Sequence, residues 1–359
     1  MNKRRKEPTA GLSAGATPGN AATDPPLDAV GQKLSPRSRA LRHALSSSPA
    51  YMGVVLLALV VVFSIERSNT FPTSINARNV LTDVSTLLVM ATGMTFVMVA
   101  GGFDLSIGSV LVFSGVCAAK AMSAMGTDNT LTVVVGLAVA LVAGLAWGVF
   151  NGLCITRLRV PALITTLGSL GAALGVTHLL TGGSDVRDVP LTLVNVSTSG
   201  FLTLSWIVWV ALVVTLIGGL ILALTRFGRH TYVVGSNPEA ARRGGINVDR
   251  HLLKLYAFNG LLAGLAGMMS LTRFATTTIS GHSQDPLEVI TGVVLGGTSL
   301  FGGIGTVLGT VVGIFIPGVL NNGFIVMNVE PFWQEVAIGF ILIAAVYIDQ
   351  LKRRRRDRA

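Results

Sequence analysis

Residues 79–126 read NVLTDVSTLLVMATGMTFVMVAGGFDLSIGSVLVFSGVCAAKAMSAMG. Two apolar runs, 79–100 and 106–126, each reach the roughly 20 residues an α-helix needs to cross a hydrocarbon core. Between them Gly101, Gly102, Asp104, Ser106 and Gly108 make a polar, glycine-rich break. Runs this long that lack a polar face predict membrane spans rather than the one-sided helices of a soluble bundle.

The same pattern extends both ways. Further spans are expected at about 50–65, 130–152, 161–181, 204–225, 252–274, 305–324 and 332–347. Pro317 predicts a kink. In residues 283–295, Asp285, Pro286 and Glu288 have the spacing of a capping box. The apolar part that follows is too short for an ordinary span, which predicts a short or re-entrant helix buried in protein. The expected fold is an all-α polytopic membrane protein of about ten transmembrane segments.

Composition agrees. Of 359 residues, 51% are hydrophobic and 12% charged, against about 25% charged in soluble domains. The 42 glycines suit helices packed closely in lipid. The net charge of +10 sits mainly at the two ends and between apolar runs. That is the pattern of positive loops facing the cytoplasm and anionic membrane lipid, not of a nucleic-acid partner. Residues 1–49 read as a disordered basic cytoplasmic leader, 50–350 as the membrane domain, and 351–359 as a basic cytoplasmic tail. No cleavable signal peptide is expected, because the first apolar run begins near Tyr51.

Residues 226–250, RFGRHTYVVGSNPEAARRGGINVDR, carry five arginines and two acids between two apolar runs. Asn237 suits an N-cap and Pro238 the first helical position, while Gly244 or Gly245 can end the helix in a left-handed conformation. A helix this short cannot cross a bilayer, so it is expected on the cytoplasmic face, open to a partner.

Enzymatic chemistry has little support. There is no Gly-Lys dipeptide, hence no phosphate loop of the Gly-Lys-Ser/Thr kind. The five histidines form no pattern, and Cys117 and Cys154 imply neither a disulfide framework nor a metal. Asp83, Lys120, Arg273, Glu288 and Glu335 mostly fall at expected span ends, where they reach the interface. Asp104, beside Ser106, either lines a solute path or caps the following helix. Asn151, Thr298, Ser299, Asn321 and Asn322 either bond a hydroxylated solute or hold helices together. Gly101, Gly102, Leu105 and Gly108 echo Gly296, Gly297, Leu300 and Gly303, as expected either of paired broken helices in a duplicated transporter or of packing glycines.

Four stretches resemble ribose-type sugar permeases of ABC importers, within the branched-chain-amino-acid/sugar permease superfamily. They are GMTFVMVAGGFDLSIGSV (93–110), RLRVPALITTLGSL (157–170), GSNPEAARRGGINV (235–248) and VVLGGTSLFGGIGTVLGTVVGIFIPGVLNNG (293–323). The resemblance covers about 71–347. It implies a type II ABC importer-like fold in the bacterial inner membrane and a pair of permease copies. It also implies a separate ATPase that binds ATP and docks on the cytoplasmic coupling helix, and a periplasmic sugar-binding protein. No cofactor is implied on this chain. The coupling positions are Asn237, Pro238, Glu239, Ala240, Ala241, Arg242, Arg243, Gly245 and Ile246, with Arg242, Arg243 and Gly244 a basic local variant. The runner-up is an ion-coupled secondary carrier, disfavoured by the scarcity of buried acids.

Overall fold

The computed structural model describes residues 48–356, all within one unit, Ser46–Ala359. The expected leader lies almost entirely outside the described residues. The tail does so only in part, because the last helix continues to Arg356.

The order of helices follows the apolar runs. Helix α1 is Ser48–Glu66, α2 Ser74–Val99, α3 Ile107–Met125, α4 Thr130–Thr156 and α5 Ala162–Thr181. After α6, Leu191–Thr198, come α7, Trp206–Leu224, α8, Arg226–Ser236, and α9, Pro238–Arg243. Then α10 is Val248–Phe274, α11 Asp285–Leu295, α12 Val307–Val326 and α13 Pro331–Arg356. Seven of these, α2 to α5, α7, α10 and α12, are long and apolar enough to cross a membrane. Two shorter apolar segments, Ala50–Glu66 in α1 and Phe332–Tyr347 in α13, flank them.

Three sequence expectations need correction. Helix α2 begins at Ser74, earlier than expected, because Thr73 caps it through the Asn76 amide. In the linker before α7, Gly200 and Phe201 pair antiparallel with Ser205 and Leu204 in a short hairpin. The basic segment holds a second helix, α8, which starts where the Thr225 hydroxyl accepts the Gly228 N–H. The capping box at Asp285 does not form, since Gln284 precedes the helix without a side-chain bond and the Asp285 carboxylate turns to His282.

Helix α2 is buried along most of its length, whereas α4, α5 and α7 expose most of theirs. That gradient replaces the inside-out polarity of a soluble bundle, because lipid tails solvate exposed apolar side chains. Helices α4 and α10 meet through glycines. A methyl on Gly144 would lie 2.7 Å from the Gly264 Cα, and one on Gly148 2.9 Å from the Gly260 Cα. The short α11 lies on α12 in the same way, a methyl on Gly292 falling 2.8 Å from the Ile314 Cα.

The two glycine-rich breaks pack together. Gly303 N–H donates to the Val99 carbonyl at 2.8 Å. Gly302, at φ +83°, brings its Cα region within reach of both Gly101 and the Gly235 carbonyl, 2.9 and 2.8 Å from where a Cβ would sit. Gly235 belongs to α8, so both breaks bear on the segment that carries α9.

Candidate functional site

Helix α9 is built as a projecting knob. The Asn237 carboxamide oxygen accepts the Ala240 N–H at 3.0 Å, Pro238 opens the helix, and Gly245, at φ +82°, reverses the chain after Gly244. Ala241 is buried with Val234 and Val248 in a small apolar cluster. Asn237, Pro238, Glu239, Ala240, Arg242, Arg243, Gly244 and Gly245 are all exposed, and Ile246 is half-buried. One anchoring alanine therefore holds a surface otherwise free for docking.

Charge braces the knob. Arg242 lies 3.8 Å from Glu239 and 3.6 Å from Asp249, and Arg243 3.8 Å from Glu239. Arg159, at a left-handed φ of 60°, grips Asp249 with both terminal nitrogens at 3.0 and 3.3 Å. Exposed pairs of this kind contribute about 0 to 1 kcal/mol each, so they orient more than they stabilise. The scaffold beneath is tighter: Tyr232 donates to the Gly305 carbonyl at 2.7 Å, and Thr231 meets His251 at 2.9 Å.

The residues expected along a solute path fall in three places. Asp104, Ser106 and Asn151 are together and buried. Asp104 Oδ1 accepts the Ser106 N–H at 2.9 Å and its hydroxyl at 2.6 Å, while Oδ2 accepts the Asn259 amide at 2.8 Å. Asn151 donates to the Ser106 hydroxyl oxygen at 2.9 Å. This network fastens the break before α3 to α4 and α10. Thr298 and Ser299 lie in the second break; the buried Thr298 hydroxyl has no partner among the described residues, and Ser299 donates to Asp349 at 3.3 Å.

Asn321 and Asn322 sit elsewhere, on a polar cavity of about 450 Å³. Asn322 exchanges amide bonds of 2.9 and 3.0 Å with Asn76, whereas the Asn321 side-chain carbonyl is buried with no partner among the described residues. The cavity is also lined by Asp83 and Arg273, which form an ion pair, by His282, Asp285 and Glu288, and by Thr86, Thr278 and Gln284. It lies at the far end of α10 from α9, since that 27-residue helix starts beside the knob and ends at Arg273 and Phe274. At 1.5 Å per residue the two are about 40 Å apart. A larger groove of about 600 Å³ between α2, α7 and α12 is almost wholly apolar and suits lipid chains better than a polar solute.

The sequence singled out Asp83, Arg273 and Glu288 but placed them at span ends. The signal that would have grouped them is opposite charge on two spans at matching depth, with a third charge on a helix too short to span. His282, Thr86, Thr278 and Gln284 gave no signal.

Comparison with known proteins aligns residues 76–346 with the family described as the branched-chain amino acid transport system / permease component. The chain is 36% identical over 306 residues to the ribose import permease protein RbsC of Escherichia coli (strain K12), covering 84% of this chain and 93% of that one. It is 32% identical over 326 residues to the fructose import permease protein FrcC of Rhizobium meliloti, covering 88% and 89%. It is 34% identical over 307 residues to the L-arabinose ABC transporter permease protein AraH of Azospirillum brasilense, covering 85% and 88%. No solved structure matches.

Proposed function

The chain belongs to the branched-chain amino acid transport system permease family, and from that premise we propose that it is the permease of an ATP-driven importer of a monosaccharide. The observation that carries the proposal is the knob at 237–245, exposed everywhere except Ala241 and joined through Gly235 to both helix breaks. With no Gly-Lys phosphate loop in this chain, ATP would act through a separate subunit. The chain's permease relatives, named for ribose, fructose and arabinose, favour a sugar as cargo.

In this mechanism an ATPase subunit grips Pro238, Glu239, Ala240, Arg242 and Arg243. Its closure on ATP pushes α9, and α8 passes the displacement to Val99 and Gly303 at the two breaks. A binding protein delivers sugar at the opposite face, beside the polar cavity, and two permease copies enclose the path. Counting α1, α11 and α13 with the seven long apolar helices gives ten membrane segments with both termini cytoplasmic.

The test is reconstitution with an ATPase subunit and a sugar-binding protein in liposomes. Labelled ribose, fructose, galactose and arabinose should enter only with ATP. Glu239→Arg with Ala240→Trp should abolish uptake while leaving the permease folded. Uptake that follows a proton or sodium gradient without the ATPase would instead identify an ion-coupled carrier.

A further inference from the structure

The groove between α2, α7 and α12 has apolar walls and one charged end. Leu88, Leu212, Leu216, Leu308, Val311 and Phe315 are among its walls, and no charged residue lines it among the described residues. Leu212, Leu216 and Leu308 are exposed. On α7 the lining runs from Val208 to Ala223, about 22 Å at 1.5 Å per residue, which is more than one leaflet of a core about 30 Å thick. The volume of about 600 Å³ falls within the range of small-molecule sites. This shape and chemistry fit an extended hydrocarbon chain.

The charged end is where α7 gives way to α8. Tyr232 of α8 lines the groove. Arg229 and then Arg226 precede it at intervals of one helical turn, each beside the next on the helix surface. Arg229 also reaches back to the groove, since its Nη1 donates to the Leu224 carbonyl at 3.2 Å, next to the lining residue Ala223. Both arginines are exposed, and neither makes an ion pair among the described residues. The walls bring no competing carboxylate. Residues 84–103, 200–238 and 300–329 hold no acid, and Asp349 of α13 is taken up by the Ser299 hydroxyl and the Leu300 N–H. An apolar slot alone takes any lipid, but two unpaired guanidiniums at its end discriminate. A zwitterionic headgroup carries its own ammonium beside the phosphate, whereas an anionic one presents net negative charge to the guanidinium fork.

We propose that this groove is a binding site for one anionic phospholipid, its acyl chain lying along α7 and its phosphate held at Arg229 and Arg226. The site is separate from any cargo route and does not depend on which solute is carried. It shares a wall with the coupling segment. Tyr232, which lines the groove, also donates to the Gly305 carbonyl beside the second break. The lipid is therefore seated against the segment that carries α9.

The experiment uses the full chain in phosphatidylcholine vesicles, with Cys117 and Cys154 replaced by alanine. A fluorophore on Leu216→Cys reports the groove, and one on Leu145→Cys, an exposed apolar position on α4, reports ordinary lipid. Quenching by phosphatidylglycerol with brominated chains is compared with quenching by brominated phosphatidylcholine at the same mole fraction. The ratio of apparent association, glycerol over choline, should be about fivefold higher at 216 than at 145, the scale of one arginine beside an anionic headgroup. Arg226→Gln with Arg229→Gln should bring it down to the value at 145. Gly219→Leu fills the groove instead, its Cβ meeting only Val307 at 3.6 Å and beyond. It should lower quenching by both lipids at 216 and not at 145, and it serves as the test should the arginine variant fail to fold. Glycerol phosphate in solution should leave the ratio unchanged, because it has no chain to seat. Equal ratios at the two positions, quenching at 216 untouched by either set of substitutions, or a preference abolished by soluble glycerol phosphate overturns the proposal. So does a reporter at 216 that neither lipid reaches, as it would be beneath a second copy of the chain. Because no ATPase or transport enters the measurement, failure here leaves ATP-driven uptake to stand or fall separately.

Discussion

Gly235→Ala is the sharpest test of how α9 communicates with the membrane domain. A methyl there would sit 2.7 Å from the Gly303 nitrogen and 2.9 Å from the Val99 carbonyl carbon, with the Val99 oxygen nearer still. Backbone cannot rotate aside as a side chain can. The two obstructing groups are also bonded to each other, Gly303 N–H to Val99 O at 2.8 Å. Making room means parting that bond or lifting α8 off the breaks. Overpacking costs about 1–3 kcal/mol and a lost backbone hydrogen bond about 1 more, so the folded state should lose about 2–4 kcal/mol. The assay is thermal unfolding of the purified chain in detergent, paired with ATP-driven uptake in liposomes. Gly53→Ala, where nothing lies within 4 Å, is the control and should leave both unchanged. If Gly235→Ala unfolds at the wild-type temperature and transports normally, the junction is not the tight contact described, and the proposed route of force is wrong.

Other outcomes follow from the same geometry. Asp104→Leu strands the Ser106 N–H and the Asn259 amide in a buried site and should cost several kcal/mol, at about 1–3 per group. Asp104→Asn should be much milder, because the Asn259 side-chain carbonyl has no partner among the described residues and an amide flip lets it accept from the new side chain; matched thermal melts distinguish the two. Arg159→Ala removes a surface pair and should lower stability by less than about 1 kcal/mol, yet it should reduce ATP-coupled uptake by leaving Asp249 held by Arg242 alone. The Thr192 N–H, which donates to Asp128 at 2.8 Å, holds that carboxyl below its usual range. A depressed carboxyl contributes at pH values above its unfolded pKa and loses the contribution as pH falls through the folded one. Protection of the Thr192 amide from hydrogen exchange should therefore fall in acid below the ordinary carboxylate range, and Asp128→Asn should flatten that dependence.

Much of the fold was legible because the signals are long and local. Apolar runs announced every long helix, and Asn237 with Pro238 announced α9, because caps act within one turn. Helix α8 was hidden because its amphipathic pattern lies within a segment read for charge. Asp285 was misjudged because the spacing of a capping box does not say that His282 will take the carboxylate. The cavity was the least legible part. Asp83, Arg273 and Glu288 are distant in sequence, and only packing brings them to one depth. The two glycine breaks were visible as an echo, but not the fact that they touch each other and Gly235.

The length of α11 has a consequence for how the chain is made. Its 11 residues extend about 16 Å, half of a hydrocarbon core. A segment of that length carrying Asp285 and Glu288 has no resting place in lipid until the surface it leans on exists. Part of that surface is α12, which is synthesised afterwards and presents Gly309 and Gly313 to Gly292 and Gly296. The last stage of insertion at this point therefore runs backwards along the chain, the later helix entering before the earlier one settles fully against it. A chain cut short before α12 and held by a spacer long enough to clear the ribosome should leave α11 more reachable by protease than it is in the full chain.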